Sequence, residues 1–386
     1  MKYRDFYWAS GGHFATDLYF NLLPALLPVV SHRLGLSLTQ VGFVTMASMV
    51  AANFFQPLLG HRFDRRPNRL WPRVSLVASG FFMVLCGLPV GYGLFGLLAV
   101  VGGFANGAFH PLGSVVAYQS NPRQRGFFMS MYSTAGSFGF AIGPAIAAVM
   151  IQTFQTPVSL LALALPLPLF WHYLGKIDLS KLQTQSESAG EPNGLKGILT
   201  AGVVVLTLIM ILRAWGHLAF CSYLVFLLQE RGFTYVAAAN LLTAFLIAAS
   251  VGGLGGGKLS DGIGRRAVVL ITLVGSALFS GLFLVSSGPL SLVFLILAGL
   301  GIGGSFPVLI VLGQELMPNN IGLASGISMG FAWGMAAFGI YLNGIVGDLY
   351  GLTASFWMTT GILALAAIMT AGAIAVLAWR RQAKQA

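Results

Sequence analysis

The chain has 386 residues, 56% hydrophobic and only 8% charged, and its mean hydropathy of +0.83 lies far outside the range of soluble globular chains. A formal net charge of +11 would suggest nucleic acid in a soluble protein, but here the bases sit in polar stretches between apolar runs of about 20 residues, the length a helix needs to cross a bilayer. Composition therefore excludes a soluble enzyme or a nucleic-acid-binding module and predicts a polytopic all-α membrane protein, since barrel strands would be half as long and would alternate.

Turn residues and charges predict twelve spans, at 6–30, 39–61, 74–92, 94–118, 127–151, 157–175, 198–228, 235–257, 267–287, 290–316, 322–347 and 352–378. Span 1 follows MKYRDFYWAS without the short apolar core and cleavage site of a secretory signal, so it is expected to stay as an uncleaved span. It carries His13 and Asp17 at i and i+4, on one helix face. An acid at mid-span costs about 2.5–3.5 kcal/mol on insertion scales, so Asp17 is expected to face the bundle interior or a watery cavity. There it can exchange a proton with the pathway, the alternative being a fixed structural hydrogen bond.

Further along the first half, Gln56 in span 2 and Asn106 in span 4 are buried amides that need partners, and Tyr19 in span 1 is an aromatic candidate for the same cavity. The loop after span 2 reads GHRFDRR, with Gly60, Asp64 and Arg65 as candidate gating residues. His110 precedes Pro111, which frees a backbone carbonyl, so it is either a packing histidine or a pathway residue. In span 5, Gly139 and Gly143 give a flat face for close helix packing, and Pro144 bends it. Cys86 and Cys221 lie within apolar runs and read as small hydrophobes.

The polar stretch at 176–197 reads as a linker between an N-terminal half, 1–175, and a C-terminal half, 198–386. Span 7 carries Arg213 with Trp215 beside it and His217 one turn on, all three candidates for a substrate cavity. The loop GKLSDGIGRR after span 8 repeats the charge cluster, with Gly257, Asp261, Gly264, Arg265 and Arg266, and Glu315 sits near the inner end of span 10, where gating is the expected role. Its glycine is expected to let two helices approach, and its Asp to accept from helix-end N–H groups and bases. Two glycine-rich strings imitate nucleotide loops. GGLGGGK at 252–258 has Leu259 where Ser or Thr would bind magnesium, and GLGIGG at 299–304 lies inside a span, so neither indicates ATP or a dinucleotide. No catalytic or metal-ligand constellation is legible, so no cofactor and no metal are expected, and energy is expected from a proton gradient.

Orientation follows from the bases. With the N-terminus inside, eighteen of the 21 Lys and Arg residues fall in cytoplasmic segments, only Arg33 and Arg231 fall in outer loops, and both termini are cytoplasmic. The two halves also repeat: GHRFDRR aligns with GKLSDGI, and GAFHP at 107–111 with GSFPV at 304–308, at one offset of 197 (257 − 60). Two parallel six-span halves around a cavity is the layout of secondary transporters. The same offset brings Arg213 level with Thr16, beside Asp17 on the equivalent helix, so the two charges can pair across the halves.

These motifs carry a resemblance. GHRFDR at 60–65 and GKLSDGIGRR at 257–266 resemble the signature of the major facilitator superfamily, the first copy departing from it at Pro67. The Gly139, Gly143, Pro144 face resembles the glycine-proline motif of that superfamily's drug/proton antiporters. Over its whole length the chain resembles the fosmidomycin-resistance transporters through HFATD at 13–17, LTQVG at 38–42, QPLLG at 56–60, FHP at 109–111, QELMP at 314–318 and IGLASG at 321–326. It departs from them after His110-Pro111, where Leu112, Val115 and Tyr118 replace an acid and bases, and at Gly103, where superfamily antiporters often have arginine. The resemblance implies a twelve-helix major facilitator fold, a bacterial plasma (inner) membrane location and export of a small molecule or drug in exchange for protons, by a monomer in the lipid bilayer. A metabolite importer or uniporter is the alternative.

Overall fold

The computed structural model describes residues 3–56, 58–59, 68, 70–120, 125–178, 200–317, 324 and 326–382. Gly60, Asp64, Arg65 and most of the 176–197 linker lie outside the described residues. Among the described residues every regular element is helical. In chain order these are α1 (Tyr3–Phe20), α2 (Leu23–Leu34), α3 (Leu38–Phe54), α4 (Leu70–Leu85), α5 (Tyr92–Ser120), α6 (Arg125–Phe154), a 3₁₀ segment (Pro157–Ala164), α7 (Leu167–Leu174), α8 (Ala201–Glu230), α9 (Tyr235–Ile263), α10 (Arg265–Val285), α11 (Gly288–Leu316), a π-turn (Ile327–Phe331), α12 (Ala332–Tyr350) and α13 (Leu352–Gln382). Ten described segments are long and apolar enough to cross a membrane, α1 and α2 together forming the first. The shorter apolar helices α3 and α4 supply the other two of the twelve. A helix satisfies its own backbone groups, which is why apolar segments of this length cross lipid as helices.

Local chemistry places the breaks. Pro24, at the start of α2, has no N–H to continue the ladder from α1, so the first span is interrupted at Asn21 and Leu22. Gly35 ends α2 at φ +63°, and Ser37 opens α3 with a reciprocal capping box to Gln40. Gly264 joins α9 to α10 at φ +89°, a backbone region that glycine alone enters without strain.

The chain forms two compact units. The first comprises Met1–Ala189 with Ser222–Thr243, the second Gly190–Cys221 with Ala244–Ala386. Two tyrosines tie residues 222–243 into the first unit, Tyr223 Oη donating to Leu38 O at 3.1 Å and Tyr235 Oη to Ala25 O at 2.7 Å. In that unit α1 packs along α6, where Gly139 and Gly143 lie against the backbone of Phe14 and of Leu18 and Asn21. The second unit has an apolar core of Ile209, Met210, Val268, Leu273, Val308 and Leu309 with small alanines between them.

The two strings that imitate nucleotide loops are packing faces. Gly252 and Gly256 of α9 sit against the backbone of Leu300 and Gly304, while Gly299 and Gly303 of α11 sit against Phe245 and Ala249. Small residues four apart let two helix backbones touch. Gly257 corrects an expectation: a Cβ there would meet nothing within 4 Å, so close approach falls to its neighbours Gly252 and Gly256.

Candidate functional site

In the first unit a cluster of polar side chains surrounds Asp17. From α1, His13 Nε2 stands 3.2 Å from Asp17 Oδ2. From α5, Asn106 Nδ2 donates to Asp17 Oδ1 at 3.1 Å and to the Thr16 carbonyl at 3.2 Å. His110, one turn beyond Asn106, places Nε2 3.5 Å from Asp17 Oδ1 and 3.3 Å from Asn106 Oδ1. From α6, the Tyr132 carbonyl lies 2.9 Å from His13 Nδ1, and the Tyr132 ring stacks on the imidazole at 4.1 Å. Gly136, also on α6, makes room for that imidazole, because any Cβ there would strike the His13 ring.

Donor and acceptor roles fix where protons must be. A carbonyl only accepts, so His13 Nδ1 carries a hydrogen and donates it to Tyr132 O. In a neutral imidazole Nε2 would then show a lone pair to the carboxylate, which repels it. The geometry accommodates a proton between Nε2 and Oδ2, as imidazolium with carboxylate or as imidazole with carboxylic acid. The Asn106 amide nitrogen is committed to two acceptors, so its oxygen faces His110, whose Nε2–H donates. The cluster thus places His13 against one oxygen of Asp17 and a second imidazole, His110, near the other. His13, Asp17 and His110 each offer a ligand atom within 4.8 Å of the others.

Arg213 and His217 lie in the buried interior of α8. The Arg213 Nε donates to Ile302 O at 2.8 Å, and His217 packs edge-on to Trp333 at 5.4 Å. Other expected cavity residues are placed elsewhere. Tyr19 donates its hydroxyl to Leu163 O at 2.7 Å and packs beside Gly80, anchoring α1 to the 3₁₀ segment. Gln56 bonds back to Ala52 O of its own helix at 3.0 Å. Trp215 packs on Gly339 and donates to Asn343 Oδ1 at 2.7 Å, and Asn343 in turn binds Ser355 and Thr359. At the α9–α10 turn Asp261 and Arg266 are exposed, while Arg265 pairs with Glu315 at the end of α11. Pro144 stands inside α6.

A bundle of helices of membrane-crossing length with buried ionisable side chains inside its spans fits a membrane transporter. The family model of the Major Facilitator Superfamily matches residues 9–239 and 204–385, and the chain belongs to that superfamily. Within it, the chain is 27% identical over 348 residues to the fosmidomycin resistance protein of Escherichia coli K12, covering 88% of this chain and 85% of that one. It is 29% identical over 374 residues to the MFS-type transporter YfnC of Bacillus subtilis 168, covering 91% and 90%. Over most of its length the chain is thus similar to a fosmidomycin-resistance transporter of this superfamily. The nucleoside transporter NupG superposes with a TM-score of 0.79 at 14% identity, over 96% of this chain and 99% of that one. The D-xylose-proton symporter superposes at 0.76 and 16% identity, over 95% and 97%. Both likenesses concern the fold.

Proposed function

We propose that the protein exports a small molecule by alternating access, using the inward flow of protons, with Asp17 and His13 as the coupling pair. The observation that carries this reading is the approach of His13 Nε2 to Asp17 Oδ2, at 3.2 Å, inside a span. A group that binds and releases one proton inside a span is what an antiporter requires, and intramembrane acids and histidines commonly serve as relays. Asn106 donates to Asp17 Oδ1 and His110 stands beside the same oxygen, so both hold the carboxylate in position for His13. The similarity to a fosmidomycin resistance protein supports export of a drug-like compound. The distribution of bases supports cytoplasmic termini, and the similarity to bacterial transporters supports a bacterial inner-membrane location, where the protein acts as a monomer. Energy then comes from the proton gradient, with no bound cofactor.

The test imposes a pH gradient across liposomes holding the full-length protein and follows fosmidomycin. Accumulation against its own gradient, opposite to proton flow, is expected. Equilibration that ignores the pH gradient would overturn antiport in favour of a uniporter, and movement in the same direction as protons would make the protein an importer.

A further inference from the structure

The polar cluster of the first unit has the composition and spacing of a metal site. Two imidazoles and a carboxylate converge from two helices, His13 and Asp17 from α1 and His110 from α5, with ligand atoms within 4.8 Å of one another. His13 Nε2 is 3.2 Å from Asp17 Oδ2, and His110 Nε2 is 3.5 Å from Asp17 Oδ1. Nitrogen and oxygen ligands of one tetrahedral ion, bound at ~2.0–2.1 Å, stand about 3.3–3.4 Å apart, so both spacings suit an ion shared with the carboxylate. The two imidazole rings meet edge-on at 84° with centres 5.0 Å apart. Two histidines on one such ion hold their ring centres at about that distance.

The surroundings orient these ligands. His13 Nδ1 donates to Tyr132 O at 2.9 Å, which leaves the Nε2 lone pair as the ligand atom, and a ligating histidine ordinarily gives its other N–H to such a carbonyl. Stacking on Tyr132 fixes the ring plane, and Gly136 leaves room for it. Asn106 Nδ2 donates to Asp17 Oδ1 at 3.1 Å, the kind of outer bond that a ligating carboxylate carries. A lone pair facing a carboxylate is unfavourable until positive charge stands between them, and a divalent cation supplies it as a proton does. His110 is the adjustable member. Its Nε2 donates to Asn106 Oδ1 in the free cluster, so ligation moves that hydrogen to Nδ1 and turns the ring towards the ion. The His110 side chain is 23% exposed against 10% for His13, which gives the ring room to turn and the ion a side from which to enter.

We propose that His13, Asp17 and His110 bind a divalent transition-metal ion of the zinc class, as an external ligand and not as a cofactor of transport. Imidazole nitrogens favour Zn²⁺, Co²⁺ and Ni²⁺ over Mg²⁺ and Ca²⁺, which take oxygen ligands. Three protein ligands leave a tetrahedral ion one position for water. The assignment stands on this geometry alone. Its consequence rests on the transport reading above: an ion on these atoms takes the place of the coupling proton and arrests exchange.

The test uses the purified full-length protein in detergent, with its affinity tag cleaved off and stray metal removed by a chelator. Zn²⁺ and Mg²⁺ are titrated by calorimetry and Co²⁺ by its visible absorption. Wild type is expected to bind one Zn²⁺ per chain, to give the intense absorption of tetrahedral Co²⁺, and to bind Mg²⁺ at least about tenfold more weakly. His13→Ala, Asp17→Asn and His110→Ala should each lose at least about tenfold in Zn²⁺ affinity, since loss of an outer partner alone costs about 10–100-fold. His172→Ala, outside the cluster, should lose nothing. No Zn²⁺ binding by wild type, a Co²⁺ spectrum unchanged from the hydrated ion, equal affinity for Mg²⁺, or unchanged Zn²⁺ affinity in either cluster-histidine variant would overturn the assignment. If His13→Ala does not fold, His110→Ala, at the more exposed ring, decides. In liposomes Zn²⁺ should stop substrate-driven proton movement. Zn²⁺ binding that leaves this movement intact would overturn the coupling role of His13 and Asp17 and leave the metal site standing.

Discussion

Gly136→Ala adds one methyl group and changes no titratable side chain, yet it should disable the proton cluster. The nearest atoms to a Cβ at Gly136 all belong to the His13 imidazole, with Nδ1 at 2.6 Å. That ring cannot tilt away freely, because it is bonded to Tyr132 O at 2.9 Å and stacked on the Tyr132 ring. Overpacking costs about 1–3 kcal/mol, and displacing the ring loses a buried hydrogen bond of about 1–3 kcal/mol. The helix gains about 0.5–1 kcal/mol from replacing glycine. A net loss of about 1–5.5 kcal/mol is expected in the parent. With His13→Ala already present the obstruction is gone, and the same change should be neutral or stabilising by about 0.5–1 kcal/mol. Unfolding of the four proteins in matched detergent closes the double-mutant cycle. A Gly136→Ala cost equal in both backgrounds to within about 0.5 kcal/mol would refute the reasoning, and so would undiminished proton coupling in Gly136→Ala liposomes.

Glycines elsewhere should sort by what they touch. Gly303→Ala drives a methyl group into the Ala249 backbone and should lower the unfolding midpoint by the equivalent of about 1–3 kcal/mol, while Gly257→Ala, facing open space, should leave it unchanged. Asn343→Leu strands the Trp215 indole N–H, while the Ser355 and Thr359 hydroxyls keep their bonds to Asn343 O and Ser355 O. It should destabilise by about 1–3 kcal/mol for the buried group left unsatisfied, read by thermal unfolding. Arg265→Gln removes a pair whose members are 36% and 48% exposed, so the stability change should stay under about 1 kcal/mol.

Much of the architecture was legible because membrane-crossing helices announce themselves by length and apolarity, and a break such as Asn21–Leu22 follows from Pro24. The core of the cluster was legible too, since the i, i+4 spacing put His13 and Asp17 on one face. What the sequence could not say is which faces meet. Asn106 and His110 have that same spacing, which was a usable signal, but their arrival at Asp17 depends on α1 packing against α5, about ninety residues away in sequence. The Tyr132 acceptor is a backbone carbonyl and has no side-chain signature. Gly136 could have been found from its spacing to Gly139 and Gly143. Gly257 was read as a packing glycine because it belongs to a motif, while the glycines that do pack lie in the strings that imitated nucleotide loops. Tyr19 and Trp215 show the limit of reading aromatics: each has a polar tip that found a structural partner before it could face a cavity.

The most direct test of the central claim is substrate-driven proton movement in liposomes carrying an internal pH dye, with wild type and Asp17→Asn side by side and fosmidomycin as the probe. The account predicts proton movement in wild type and none in Asp17→Asn, with exchange of labelled fosmidomycin across the membrane preserved in the variant. Proton movement at the wild-type rate in Asp17→Asn would contradict it.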